Sequence, residues 1–377
     1  MDKKVKALGK EEIGQENSKF HLTTPALILD LDAMEENIAL MAQLAREKNV
    51  KLRPHCKSHK SVQIAKLQMK AGAVGISCAT IGEAEVMVEA QIPGVLITSQ
   101  VVQESKVVRL IALHQKAQDL MVVVDHLDNV EMLAKANEGN RPLQVLIDYD
   151  IGQNRTGVKS HEEAVRLAHK IFQYRFLKLV GIQAYGGHFQ HIADYQERKK
   201  QIQGQNEKIR ELVIEVQKLV PYYLIMTGGG TGTFDIDRHE GVYTELQVGS
   251  YLFMDVEYSD VALFSDGNNR FKPSLFVLAT VISSHQSEVI VDAGLKAFAT
   301  DGPLPRVVAG ALGTYEFKGD EHGKVKIVEG SRVPSLGHTL EFLTPHCDPT
   351  VNLYDFYHCV RGNKLVDIWP IEARGLH

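Results

Sequence analysis

Cysteine is scarce in this chain, with four among 377 residues: Cys56, Cys78, Cys347 and Cys359. No two stand in a C-x-x-C pair, and a chain of this length needs no disulfide framework. Reduced thiols in a cytoplasmic protein are therefore expected. A surplus of charge is also missing. The 42 Lys and Arg against 47 Asp and Glu leave a net charge of −5, which gives no basic footprint for nucleic acid. Any anionic ligand must be held by local features. No apolar run approaches the roughly 18 residues of a membrane span, so no membrane partner is expected. The opening stretch MDKKVKALGKEEIGQENSKF has positive charges but no apolar core, so a secretory signal is not expected either.

What is present is an alternation of short apolar runs with helical patterns. Ala26–Leu31 reads as a strand, and Asp32 is placed to cap the amphipathic stretch Met34–Lys48. Eight further strand candidates follow: Val50–Pro54, Val74–Cys78, Val95–Thr98, Leu120–Val124, Leu143–Tyr149, Leu179–Tyr185, Tyr223–Met226 and Thr244–Val248. Helical patterns separate most of them, as at Val62–Lys70, Gly82–Ala90, Glu162–Tyr174 and Gln196–Leu219. Buried β-branched strands alternating with helices imply a parallel sheet. Eight such units favour a (β/α)8 barrel over an open doubly wound sheet. After about Asp260 helical periodicity weakens. Leu275–Ser283 and Glu288–Ala293 look like strands joined by a turn, the start of an antiparallel β-domain. The expected division is a barrel over residues 22–262 and a β-domain over 263–377, joined by about residues 1–21.

In such barrels the chemistry sits at the C-terminal ends of the strands. The first of the eight strands runs into Arg53-Pro54-His55-Cys56-Lys57-Ser58-His59-Lys60, which is either a ligand loop or a solvated basic turn. The seventh runs into Thr227-Gly228-Gly229-Gly230-Thr231-Gly232-Thr233 and the eighth into Gly249-Ser250. Glycine amides and threonine hydroxyls after these two strands suit a phosphate. Arg155 follows the fifth strand; Tyr185, His188 and His191 follow the sixth. A lysine, a phosphate cradle and these groups together suggest a phosphorylated aldehyde held by a Schiff base. Far downstream lies Pro345-His346-Cys347-Asp348-Pro349-Thr350-Val351-Asn352. In an extended segment His346 and Asp348 would share one face and grip a divalent cation, with Cys347 turned away. Taken alone, H-x-D is a common tripeptide without function.

With these pieces together, the chain resembles the fold-type III pyridoxal phosphate enzymes, in the branch of D-threonine aldolases and D-serine dehydratases. The segments that carry the resemblance are TPALILDLDAMEENI, LRPHCKSHK, GEAEVM, GGGTGT, ELQVGSY and PHCDPTVN. It implies an alanine-racemase-like barrel with a β-domain, a homodimer and pyridoxal 5′-phosphate (PLP). Lys57 would be the Schiff-base lysine, with Lys60 its chief competitor. Arg155 would lie beside the phenolic oxygen of PLP and Tyr185 near its pyridine nitrogen. Gly229, Gly230, Thr231, Gly249 and Ser250 would surround the phosphate. His346 and Asp348 would hold Mn, Mg or Zn. The implied reaction is retro-aldol cleavage of a D-β-hydroxy-α-amino acid, of the D-threonine type, to glycine and an aldehyde. His191 or a water on the metal would serve as base. The runner-up is a D-serine or D-threo-3-hydroxyaspartate dehydratase, to which His-x-Cys at the metal would point instead of His-x-Asp. An amino-acid racemase and a non-catalytic PLP-binding protein are more distant readings. Ala79-Thr80 stands where many D-threonine aldolases carry Gln-Lys, which leaves the substrate open.

Overall fold

The structure, a computed structural model, describes residues 9–377. In chain order its first elements are β1 (Ala26–Asp30), α1 (Leu31–Glu47), β2 (Lys51–Leu52), α2 (Val62–Lys70), β3 (Ser77–Cys78), α3 (Ile81–Glu89), β4 (Leu96–Ile97) and α4 (Glu104–Lys116). They continue with β5 (Met121–Val124), α5 (Leu127–Ala136), β6 (Leu143–Asp148), α6 (His161–Phe172), β7 (Leu177–Ala184), α7 (Tyr195–Gln217), β8 (Ile225–Gly228), α8 (Phe234–Glu240), β9 (Glu245–Leu246) and α9 (Val256–Ser259). Strands β2 to β9 form one parallel eight-stranded sheet, ordered β2-β9-β8-β7-β6-β5-β4-β3. A parallel bridge between His55 and Ser77 joins its two ends. The (β/α)8 barrel expected from the alternation is therefore present. Val122, Val145, Ile147, Leu179 and Ile182 are fully buried in its core.

Local sequence explains the helix starts. Thr80 caps α3 by accepting the Glu83 amide at 3.2 Å. Ser160 and Glu163 form a reciprocal capping box on α6. For α1 the cap is Asp30, which accepts the Ala33 amide at 3.1 Å. Asp32, the expected cap, lies instead in the first turn, because β1 ends at Asp30, one residue before the expected strand end at Leu31.

The second sheet holds β1 with β10 (Leu275–Ser284), β11 (Glu288–Val291), β12 (Arg306–Ala309), β13 (Gly313–Phe317), β14 (Gly323–Ile327), β15 (Thr339–Leu343), β16 (Phe356–Arg361) and β17 (Lys364–Pro370). Its pairs are antiparallel except β1 with β16. Strand β1 falls inside the span expected for the barrel, yet it lies between β10 and β16. Its residues Ala26 to Leu29 are all buried, so a run apolar on both faces fits the centre of either sheet. The expectation for residues 1–21 falls partly on residues 1–8, outside the described residues. Over the rest, the Gly14 amide bonds the Leu365 carbonyl at 2.8 Å and Lys19 pairs with Glu341 at 2.8 Å. Among the described residues no helix is long and apolar enough to cross a membrane.

The two parts are clasped beside the barrel mouth. The Tyr357 hydroxyl donates to the His59 carbonyl at 2.7 Å, and the Ala373 amide bonds the Lys60 carbonyl at 3.0 Å. Both acceptors lie within three residues of Lys57.

Candidate active site

Beyond β2 the His55 amide still bonds the Val248 carbonyl at 3.0 Å, and a 3-10 turn over Cys56–Ser58 then carries Lys57. His55 accepts the Lys57 amide on Nδ1 at 3.3 Å, and its Nε2 meets Thr98 Oγ1 at 3.1 Å. Burial, reinforced by the Lys57 charge, drives the His55 imidazole down to about 3, so the ring is neutral. Lys57, His55, Arg155, Tyr185, Gln183 and Gln247 all line one cavity of about 380 Å³, a size suited to a small ligand. The Arg155 guanidinium lies 5.4 Å from the Tyr185 ring centroid. Lys60 is spent elsewhere. Its ammonium pairs with buried Glu83 at 2.8 Å, and Glu83 also accepts the Ala79 amide at 2.7 Å.

A buried polar network floors this cavity. Gln247 Nε2 donates to Gln183 Oε1 and Thr227 Oγ1, both at 3.1 Å. Gln183 Nε2 donates to Asp148 Oδ1 at 2.9 Å, and the Thr156 hydroxyl to Asp148 Oδ2 at 2.8 Å. Sequence reading passed over both glutamines. The available signal was a lone amide inside otherwise apolar strand ends, LKLVGIQA and ELQVG.

The loops after β8 and β9 come to the same mouth. A Cβ on Gly249 would stand 3.5 Å from Ser58 Oγ and 3.6 Å from the His55 carbonyl, so this turn lies against the Lys57 turn. The amides of Thr231, Gly249 and Ser250 have no hydrogen-bond partner among the described residues. Thr231 Oγ1 accepts the Tyr251 amide at 2.8 Å, which leaves its own proton to donate. Gly229 sits at φ +65°, and a Cβ there would stand 2.6 Å from Asp237 Oδ2. A Cβ on Gly230 would stand 2.6 Å from Gln190 Oε1. These two glycines thus make room for protein side chains behind the loop.

The β-domain delivers the remaining groups. The stretch after β15 was expected to run extended through Asp348. Only His346 does so, at φ −138° and ψ 124°; Cys347–Val351 forms a short helix, α10. Pro349 is tolerated in a first helical turn, and the Thr350 hydroxyl donates to the His346 carbonyl at 2.7 Å. Buried Asp255 holds this start in place by accepting the Cys347 amide at 2.8 Å and the Tyr258 amide at 3.0 Å. Cys347 is fully buried in the β-domain core.

Asp348 Oδ2 meets the Lys57 ammonium. Burial pushes the Asp348 carboxyl up, but Lys57 and His346 pull it down to about 2. Burial likewise pulls Lys57 down, and Asp348 more than reverses it, holding the ammonium above its ordinary value. His346 Nδ1 bonds Asp301 Oδ2 at 2.9 Å. His191 Nδ1 lies 3.7 Å from Glu257 Oε1, with its ring centroid 5.0 Å from that of Tyr258. Burial lowers the His191 imidazole against the pull of Glu257. Asp255, Glu257 and Asp301 went unread in the sequence, because each acts only through a partner distant along the chain. Among the described residues no three His, Cys, Asp or Glu side chains converge as a metal cluster.

Residues 29–257 match the family model "Alanine racemase, N-terminal domain", and residues 274–360 match "Putative serine dehydratase domain". The chain is 38% identical to a D-threonine aldolase of Arthrobacter sp, over 93% of each chain. It is 36% identical to a 3-hydroxy-D-aspartate aldolase of Paracoccus denitrificans, over 94% of this chain and 92% of the relative. The crystal structure of D-threonine aldolase from Filomicrobium marinum superposes with a TM-score of 0.89 at 38% identity, covering 94% of this chain and 96% of that one. The D-threo-3-hydroxyaspartate dehydratase from Delftia sp. HT23, at 23% identity and TM-score 0.84, shares the fold. The chain belongs to the D-threonine aldolase and D-serine dehydratase family of fold-type III pyridoxal phosphate enzymes.

Proposed function

We propose that this protein cleaves D-β-hydroxy-α-amino acids to glycine and an aldehyde, using PLP and a divalent cation. The observation that carries the reading is the contact between Lys57 and Asp348, where barrel and β-domain meet. Lys57 cannot bond a cofactor aldehyde and also remain an ammonium on Asp348. Once Lys57 is so engaged, a buried carboxylate needs another cation. His346 is at hand two residues away. Its Nδ1 is spent on Asp301, which leaves Nε2 for a metal, the usual carboxylate–histidine arrangement. An imidazole and a carboxylate suit Mn, Mg or Zn, with water filling the other positions.

The residues present fit PLP as well. The unpartnered amides of Thr231, Gly249 and Ser250 and the Thr231 hydroxyl would hold its phosphate. Gly229 and Gly230 shape that loop. Arg155 and Tyr185 line the cavity beside Lys57 and would orient the ring. When bound, PLP supplies an electron sink for the carbon–carbon cleavage, and the cation a Lewis acid for the substrate hydroxyl. His191, whose imidazole partial burial shifts toward the neutral form, takes the hydroxyl proton, and Glu257 steadies the charge that develops. The reading includes a cytoplasmic homodimer, supported by four buried free thiols and by the exposed Val308, Leu312 and Leu336 near β12.

The test is a product assay on D-threonine, D-serine and D-threo-3-hydroxyaspartate. Glycine and an aldehyde in equal amounts are expected. A 2-oxo acid with ammonia would make the protein a dehydratase.

A further inference from the structure

Gln190 is 1% exposed and touches both loops that carry the proposed chemistry. Its Oε1 accepts the Gly232 amide at 2.9 Å. Its Nε2 donates to the Gly186 carbonyl at 3.2 Å and to Thr233 Oγ1 at 3.3 Å. Thr233 Oγ1 in turn accepts the Gly230 amide at 3.1 Å. The turn from Gly230 to Thr233 is thus moulded on one side-chain amide. On its own loop, the Gln190 backbone amide closes the 3-10 turn Gly187–Phe189 by bonding the Gly187 carbonyl at 3.1 Å. The next residue is His191.

We propose that Gln190 is a positioning residue that locks the phosphate-holding turn to the loop presenting His191, so that cofactor seat and proton acceptor keep one spacing. This rests on the phosphate seat proposed above. The residue type suits the task. The site uses one acceptor and two donors at once, which a carboxamide supplies, whereas a carboxylate offers acceptors only and leucine neither. All three partners are shielded from water, so an unmade bond is not recovered from solvent. A side chain that merely filled space would affect stability and leave cofactor affinity unchanged.

The test reads PLP affinity of the apoenzyme by absorbance titration, apoenzyme melting, and kcat in a double-mutant cycle with His191→Ala. Gln190→Leu is expected to weaken PLP binding at least tenfold. Its effect on kcat should be several-fold smaller in the His191→Ala background than in the parent. Thr233→Val cuts the same network on the phosphate side only. It should weaken PLP binding but combine additively with His191→Ala. If Gln190→Leu does not fold, Gln190→Glu replaces it. That variant keeps the Gly232 bond but sets an oxygen against the Gly186 carbonyl, and it should show both effects in smaller measure. PLP affinity within twofold of the parent, or additive losses in kcat for the folded Gln190 variant, would overturn the proposal. A protein that turns over no D-hydroxy amino acid would sink the proposed function, and the affinity measurement would still decide the role of Gln190.

Discussion

The barrel mouth and the α10 turn meet at the Lys57–Asp348 contact, and each brings its groups there by opposite means. At the mouth, Lys57, Arg155, Tyr185 and the glycine loops ride on adjacent parallel strands, so chain order and strand ends already place them. At the α10 turn, His346 and Asp348 are set by contacts from far away: Asp255 on the Cys347 amide, Asp301 on the His346 ring and Lys57 on Asp348. A barrel offers a rigid rim on which loops can vary. The second group must be carried to that rim by a separate sheet and fastened there. The clasp of Tyr357 on His59 and Ala373 on Lys60 does the fastening.

Removing the lysine from the barrel side should have the largest effect. Lys57→Ala is expected to lose the visible absorbance of the lysine-bound cofactor and to lower kcat by about 10³-fold or more, since a covalent anchor has no substitute nearby. Retention of both would break the assignment. Asp348→Ala strikes the other half. It should lose metal-dependent turnover to a similar degree while keeping the cofactor absorbance, because the barrel loops do not depend on it. Loss of both signals together would mean that the two regions are not separable.

Lys60→Ala sharpens the contrast between two lysines three residues apart. It leaves Glu83 buried and unpaired, at a cost of about 3–5 kcal/mol of stability. Chemical denaturation should show this loss, with cofactor absorbance retained in the folded fraction. A stable variant without absorbance would transfer the role of Lys57 to Lys60.

A pH effect comes from Asp237, behind the glycine loop that follows β8. Burial raises its carboxyl to about 7. The folded state therefore favours the neutral form, and stability is greatest below the unfolded value of about 4. It declines as pH rises from about 4 to about 7, then stays level. Asp237→Asn cannot ionise. It should be more stable than the parent at pH 8, by on the order of 2 kcal/mol, with the gap closing near pH 4. Thermal melts at the two pH values check this; an equal gap at both would remove ionisation as the cause. The smallest effect is expected from Cys347→Ser. Its side chain packs in the β-domain core and its thiol donates to Asp348 Oδ1 at 3.3 Å, a bond a serine hydroxyl can also make, so about 1 kcal/mol of stability should be lost. Metal affinity, read by isothermal titration, should be unchanged.

Much of the barrel half was legible in the sequence. All eight strand candidates from Val50 to Val248 correspond to strands, and α2 matches Val62–Lys70 residue for residue. Periodicity and contiguous motifs report local structure well. What stayed hidden depends on distant partners. Strand β1 is apolar on both faces, so its pattern could not say which sheet claims it. The α10 helix hides in PHCDPTVN because its start is stabilised by Asp255, 92 residues earlier. Gln190 reads as an ordinary polar residue until Gly232 and Thr233 are seen folded against it.

The division of labour between the two regions is tested most directly by following cofactor absorbance and D-threonine cleavage in one sample as a chelator is added and Mn is then restored. The expected result is loss of glycine and aldehyde formation with the absorbance unchanged, and recovery of cleavage with the metal. Cleavage that continues undiminished in the chelator would contradict a metal at His346 and Asp348.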